Sequence, residues 1–358
     1  MTKYRINFQN CLLLFLVLTG LLLNGCRLTY LIHAGTGEFK LLYDSIDIGK
    51  ALNSGKLSEE QSERLLLVER VKAFGESNLG LKKTDNYQKV YLGSKQPPIY
   101  LLSACPKVRF ERKMWWFPIV GNMPYIGFFD RERARAEREK LSKQGMDVYI
   151  GLAEAYSTLG WFRDPVTMNL LEESTNSLAE TILHEMTHVT LYLKGQGEFN
   201  EGLAVMVGMY GALDFFRKNF GESHPYSLEA QKAIHDEIIF SQFLDQLLNR
   251  LEKLYASSLE YDAKLRQRKE IFAEAMEMFD QIEEKFQTTR FRYFKRDQTN
   301  NAYLMTIGLY HRHFNLFRKI LECNDFSIQN TISLLKTIAD KEENPISKMR
   351  EWLERKDS

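Results

Sequence analysis

Residues 174–209 read STNSLAETILHEMTHVTLYLKGQGEFNEGLAVMVGM, and their reading decides the fold. At its centre stands His184-Glu185-Met186-Thr187-His188, the pattern H-E-x-x-H. On a helix, positions i and i+4 share a face, so both imidazoles can converge on one ion, with Zn–N bonds of ~2.0–2.1 Å. Glu185 then lies beside the ion, placed to reach a water as general base. Ser174, Thr175 or Asn176 can cap such a helix, while Leu178, Ile182, Val189 and Leu193 supply a buried face. Gly195 and Gly197 stop it. Glu201 follows at the start of a second helix that can fold back antiparallel, and it is the expected third ligand, with Glu198 and Asp214 behind it. Gly202, Ala204, Gly208 and Gly211 allow the two helices to approach closely. Glu201 could also serve only as a carboxylate favoured by a helix N-terminus.

Outward from this pair, the preceding chain changes period. Residues 29–80 read as helical, and residues 88–165 as short strands. The strands are expected at 90–92, 99–102, 107–110, 115–121, 125–129, 146–152 and 155–162, with a turn at Asn122-Met123-Pro124 and a charged helix over 131–143. Beyond Pro225 the pattern is amphipathic and helical, with helices expected over 227–255, 259–286, 300–321 and 327–355. Residues 26–358 read as one α+β unit, predominantly helical, with the metal-site helices over about 174–220 and a helical part over about 226–356. Tyr310, His311, His313 and Tyr156 are candidate donors to a tetrahedral oxyanion, Tyr310 first among them. Trp161 and Phe162 could line a side-chain pocket on an edge strand.

Composition narrows the classes. The 358 residues are 44% hydrophobic and 27% charged, the balance of a folded globular chain. Lys+Arg is 48 and Asp+Glu is 47, leaving no basic excess for nucleic acid. The four cysteines are too few for a disulfide scaffold, although Cys105 and Cys323 could pair in an oxidising compartment. Lys3 and Arg5 precede a charge-free run from Cys11 to Leu23, which is shorter than the ~20 residues of a membrane span. It fits a signal-peptide core, and Leu23-Asn24-Gly25-Cys26 resembles a bacterial lipobox. That resemblance implies removal of residues 1–25, lipidation of Cys26 and stable anchoring through several acyl chains. Arg27 in place of an Asp favours the outer membrane, with the protein facing the periplasm.

The stretches 115–130, 145–165, 183–208 and 300–310 together resemble the predicted aminopeptidases of bacterial envelope lipoproteins, which carry an H-E-x-x-H zinc signature. The resemblance implies a zincin-like core and a single zinc ion held by His184, His188 and Glu201. It also implies Glu185 as base and a peptide substrate cut at its N-terminal bond. The family pattern Asn-Glu-Ser-Phe-Ala stands here as Asn200-Glu201-Gly202-Leu203-Ala204, so Gly202 departs from it. A free substrate ammonium needs an acidic partner, and Glu154, Asp164 and Glu198 are the candidates. Two other readings fit the same residues: a zinc endopeptidase of envelope proteins, and a non-catalytic lipoprotein that uses metal as a staple.

Overall fold

The computed structural model describes residues 43–93, 99–117, 121–153, 164–292, 294, 299–339 and 344–357. The expected signal peptide, Cys26 and the strand expected over 155–162 lie outside them. Among the described residues no helix is long and apolar enough to cross a membrane.

The chain opens with β1 (Ile46–Asp47), α1 (Ile48–Leu52) and α2 (Glu59–Asn78), then β2 (Lys89–Val90), which pairs antiparallel with β1. The helical reading of 29–80 therefore fails at β1: Ile46 sits opposite Val90, a partner more than forty positions away that no local period reveals. α2 begins in a reciprocal cap, with the Gln61 amide hydrogen-bonded to Ser58 Oγ at 3.1 Å and the Ser58 amide to Gln61 Oε1 at 2.9 Å.

β3 (Ile99–Pro106), β4 (Trp115–Phe117), β5 (Gly121–Met123), β6 (Ile126–Phe128), α3 (Arg131–Lys143) and β7 (Met146–Ala153) follow. β3 is the middle of an antiparallel sheet ordered β6-β3-β7, with Ile99 opposite Ala153 and Pro106 opposite Met146. β4 and β5 form a separate hairpin in which Trp115 faces Met123 and Phe117 faces Gly121. Asn122 and Met123, expected in a turn at 122–124, thus lie in a strand instead, because they pair with Trp116 and Trp115, and Gly121 takes a φ of 75° that suits glycine. The strand expected over 107–110 does not form, because Asn301 Nδ2 occupies the carbonyls of Pro106 and Lys107 at 3.1 and 3.0 Å.

α4 (Met168–Leu171) leads into α5 (Thr175–Thr190) and α6 (Gly197–Phe220). Ser174 caps α5 through Ser177 N at 3.1 Å, and Leu178, Ile182, Leu183 and Met186 are buried along one side. α6 is buried on nearly every side from Gly202 to Phe216, which makes it the axis of the main core together with α2 and α5. The long helices α7 (Pro225–Ala256) and α8 (Tyr261–Glu283) pack side by side around an aromatic core of Phe240, Phe243, Phe279, Phe291 and Phe294.

The helix expected over 300–321 is two: α9 (Asn301–His311) and α10 (Phe314–Glu322). Arg312 is pulled onto α7, its Nε 3.1 Å from Asp245 and its Nη1 2.6 Å from Glu252, and the axis breaks at His313. Likewise 327–355 divides into α11 (Ile328–Ala339) and α12 (Pro345–Asp357), because Pro345 cannot continue a helix and starts a new one, with Asn344 Oδ1 accepting from Ile346 N at 3.0 Å. The architecture is therefore mixed α and β, predominantly helical, with small sheets.

Strand alternation separates the two faces of the sheet. Leu102, Ala104 and Val148 meet Leu141 of α3 in one core. On the other face Ser103 Oγ lies 3.2 Å from Thr306 Oγ1, and the Tyr149 and Tyr303 rings lie 4.9 Å apart, so α9 rides there. Below it, Asp147 forms a buried ion pair with Arg268 and accepts from Asn301 N at 2.9 Å.

Candidate metal centre

α5 and α6 run antiparallel and bring the two halves of the motif together. Their contact depends on Gly208: a Cβ there would stand 2.8 Å from the Glu180 carbonyl oxygen and 3.5 Å from His184 Cβ. The connection between them is held by Asn200, whose amide group donates to Leu193 O and accepts from Leu193 N, both at 2.8 Å. This buried clamp orients the first turns of α6, and the next residue is Glu201. In the sequence Asn200 stands only as the first residue of the family pattern; its positioning role follows from the two bonds to Leu193.

His184 Nε2 and His188 Nε2 are 3.1 Å apart, and Glu201 Oε2 lies 3.2 Å from the first and 3.5 Å from the second. A tetrahedral ion with bonds of 2.0–2.1 Å spans ligand atoms about 3.3 Å apart, so the triangle has the size that such an ion needs. Two ring nitrogens at this distance cannot both carry a proton toward each other. Among the described residues no fourth His, Cys, Asp or Glu joins the trio. His188 is nearly inaccessible, with a side chain 2% exposed, while those of His184 and Glu201 are 17% and 18% exposed. The group therefore opens on one side.

Electrostatics bind the trio without an ion. Burial alone would raise the Glu201 carboxyl, but hydrogen bonds to both imidazoles and their charges overcome it and hold the group down at about 2. Burial alone would likewise lower His188, but the bond to Glu201 and the charges of Glu201 and Glu185 raise it above its ordinary value. His188 Nδ1 is buried with no hydrogen-bond partner among the described residues, so its ring is oriented by the trio itself.

Beside the trio lies a cavity of about 200 Å³ lined by Glu180, Thr181, His184, Glu185, Gly208 and Arg290. Arg290 was not singled out from sequence. Its Nη1 reaches Glu180 Oε2 at 2.8 Å, and its Nε lies 4.0 Å from the wholly buried Glu237. The Tyr310 ring lies beside the trio, at 25° to that of His184 and 6.4 Å from it. Burial, then the charges of Glu201, Tyr125 and Glu185, push its hydroxyl well above the usual phenol range, so it remains a donor.

The other candidates sort differently. His311 Nδ1 lies 2.7 Å from Glu237 Oε1, and His313 Nε2 lies 3.1 Å from Glu198 Oε2. Glu198 is thereby drawn away from the trio. Asp214 pairs with Lys218 at 3.1 Å near the far end of α6. Asp164 is buried, with its main-chain oxygen taken by Tyr87 N at 2.8 Å. Cys105 and Cys323 are free thiols and do not pair. Glu154, Tyr156, Trp161 and Phe162 lie outside the described residues. Gly202, where the family pattern has Ser, faces the Phe317 ring, and a Cβ would meet its Cε2 at 2.6 Å.

The model of the family described as "Putative aminopeptidase" matches residues 29–350. The chain belongs to that family. No curated protein and no solved structure gives a significant match. The matched span contains the sheet, α5, α6 and α9. The family description carries peptidase activity, and with it peptides as the class of substrate.

Proposed function

We propose that the chain is a zinc-dependent aminopeptidase, anchored through a lipid on Cys26 to the outer membrane of a bacterial envelope and facing the periplasm. The observation that carries the catalytic reading is the triangle of His184, His188 and Glu201 with Glu185 beside it at a cavity. Zinc is the ion inferred because two imidazoles and one carboxylate form a three-ligand set that keeps a position open. Held there, it supplies Lewis acidity, acidifying a water and polarising a scissile carbonyl. Glu185 takes the proton of the attacking water and delivers it to the leaving amine. Tyr310 donates a hydrogen bond to the oxyanion that forms at the carbonyl. The lipid anchor rests on the lipobox-like Leu23-Asn24-Gly25-Cys26 after a charge-free run.

Elemental analysis of the purified chain should find zinc at one ion per chain. A chelator should abolish release of amino acids from amino-acid amides and lower the melting temperature, since an ion bound to the native state stabilises it by mass action. Restored zinc should return both. Peptides with acetylated N-termini should resist cleavage; their efficient hydrolysis would reassign the chain as an endopeptidase. Tyr310→Phe should lower kcat about 10²-fold with zinc content and KM little changed, as expected for the loss of one oxyanion donor. Unaltered kcat would remove Tyr310 from the mechanism.

A further inference from the structure

The cavity beside the trio is small. Its volume of about 200 Å³ falls below the ~300–1,000 Å³ of a whole small-molecule site and leaves room for one amino-acid side chain. Val205 and Met209 of α6, both buried, give it apolar walls. Glu180 stands one turn before His184 on α5 and shares its face, so whatever enters lies next to the trio and to Glu185.

The polar groups of the cavity form a joined pair. Arg290 Nη1 donates to Glu180 Oε2 at 2.8 Å. That bond leaves Glu180 Oε1, and the Nε and Nη2 of Arg290, with no hydrogen bond among the described residues; Nε lies 4.0 Å from Glu237, beyond bonding distance. Both side chains line the cavity, Glu180 with 12% and Arg290 with 34% of its surface accessible. The turn that carries Arg290 is fixed from behind. The wholly buried Asp236 accepts from Gln287 N at 2.8 Å and from Thr288 N and Oγ1, both at 2.7 Å, and the next ring, Phe291, stacks on Phe240 at 4.0 Å. The pair therefore offers an acceptor and a donor side by side on a rigid frame.

We infer that this cavity is a specificity subsite for a carboxamide side chain, glutamine above all, on a residue that flanks the scissile bond. The guest amide donates to Glu180 Oε1 and its carbonyl accepts from the free N–H groups of Arg290, while Val205 and Met209 cover its methylenes. A carboxylate of the same shape would meet Glu180 and Glu185 as like charges, because the guanidinium is already matched by Glu180 and by the buried Glu237. An ammonium would meet Arg290. An apolar side chain would strip water from the pair and return no hydrogen bond. The inference names the substrate class of the peptidase proposed above and rests on that reading.

The test measures kcat/KM of the full, zinc-loaded chain on alanine dipeptides whose second residue is glutamine, glutamate, lysine or methionine, placed before or after alanine. Glutamine should be preferred to each of the others roughly 10–100-fold in one of the two placements, the scale of hydrogen bonds lost at a covered polar site. Glu180→Gln leaves Arg290 without its close carboxylate, so the preference should move to glutamate; Arg290→Met leaves Glu180 alone, so it should move to lysine. A role confined to holding the fold would change all four rates together and leave their ratios alone. The two variants read the pair separately, and zinc content checks that each keeps its centre. Hydrolysis with no glutamine preference in either placement overturns the subsite and leaves the peptidase reading standing, as does a native order of preference in both variants. No hydrolysis of any dipeptide overturns the peptidase reading, and the subsite falls with it.

Discussion

Glu185→Gln should leave zinc bound at full stoichiometry and lower kcat by about 10²–10⁴-fold, the range of a lost general base. The side chain is not one of the three that close the triangle, so the amide removes a proton acceptor without removing a ligand. It lines the cavity beside His184, and its charge reaches far enough to help raise the Tyr87 phenol, which burial pushes up first. Elemental analysis and steady-state kinetics on the same preparation separate the two effects. Zinc content held with activity lost is the expected pair. Full activity in the variant would exclude Glu185 as the base, and loss of zinc would mean that it takes part in holding the ion.

Gly208→Ala should act on the same centre without touching a ligand. The added carbon would stand 2.8 Å from the main-chain oxygen of Glu180, which cannot rotate away as a side chain can. The helices must part by several tenths of an ångström. Two members of the trio ride on α5 and one on α6, so parting stretches the triangle along its longer edges. Overpacking of this kind costs ~1–3 kcal/mol of stability. Loss of the supporting geometry should weaken zinc affinity roughly 10–100-fold. Circular dichroism melting and zinc competition with a chelator measure the two. Reduced stability with unchanged affinity would show that helix spacing does not set the ligand geometry.

Short-range signals made much of this molecule readable. Ser174 marks the start of α5, and the spacing of His184 and His188 places both on one helix face. Glu201 was reachable because a glycine-containing turn implies a helix that returns. What escaped was decided by distant partners. The break at Arg312 comes from carboxylates on α7, and the loss of a strand after Pro106 comes from Asn301. Arg290 enters the cavity because Glu180 and Glu237, far apart in the chain, share it. The departure at Gly202 becomes intelligible only with Phe317 against it. A local period carries none of these, since each depends on which surfaces meet after folding.

α9 carries Tyr303 against the sheet and Tyr310 against His184, seven residues apart. At 1.5 Å of rise per residue that is roughly 10 Å of stiff rod. The rod works as a gauge, keeping a constant distance between β7 and the phenol beside His184. A change of side chain along the rod alters its fit but not its length, whereas one inserted residue would swing the phenol about 100° around the axis. The interval between 303 and 310 should therefore tolerate exchange of residues and refuse any change in their number.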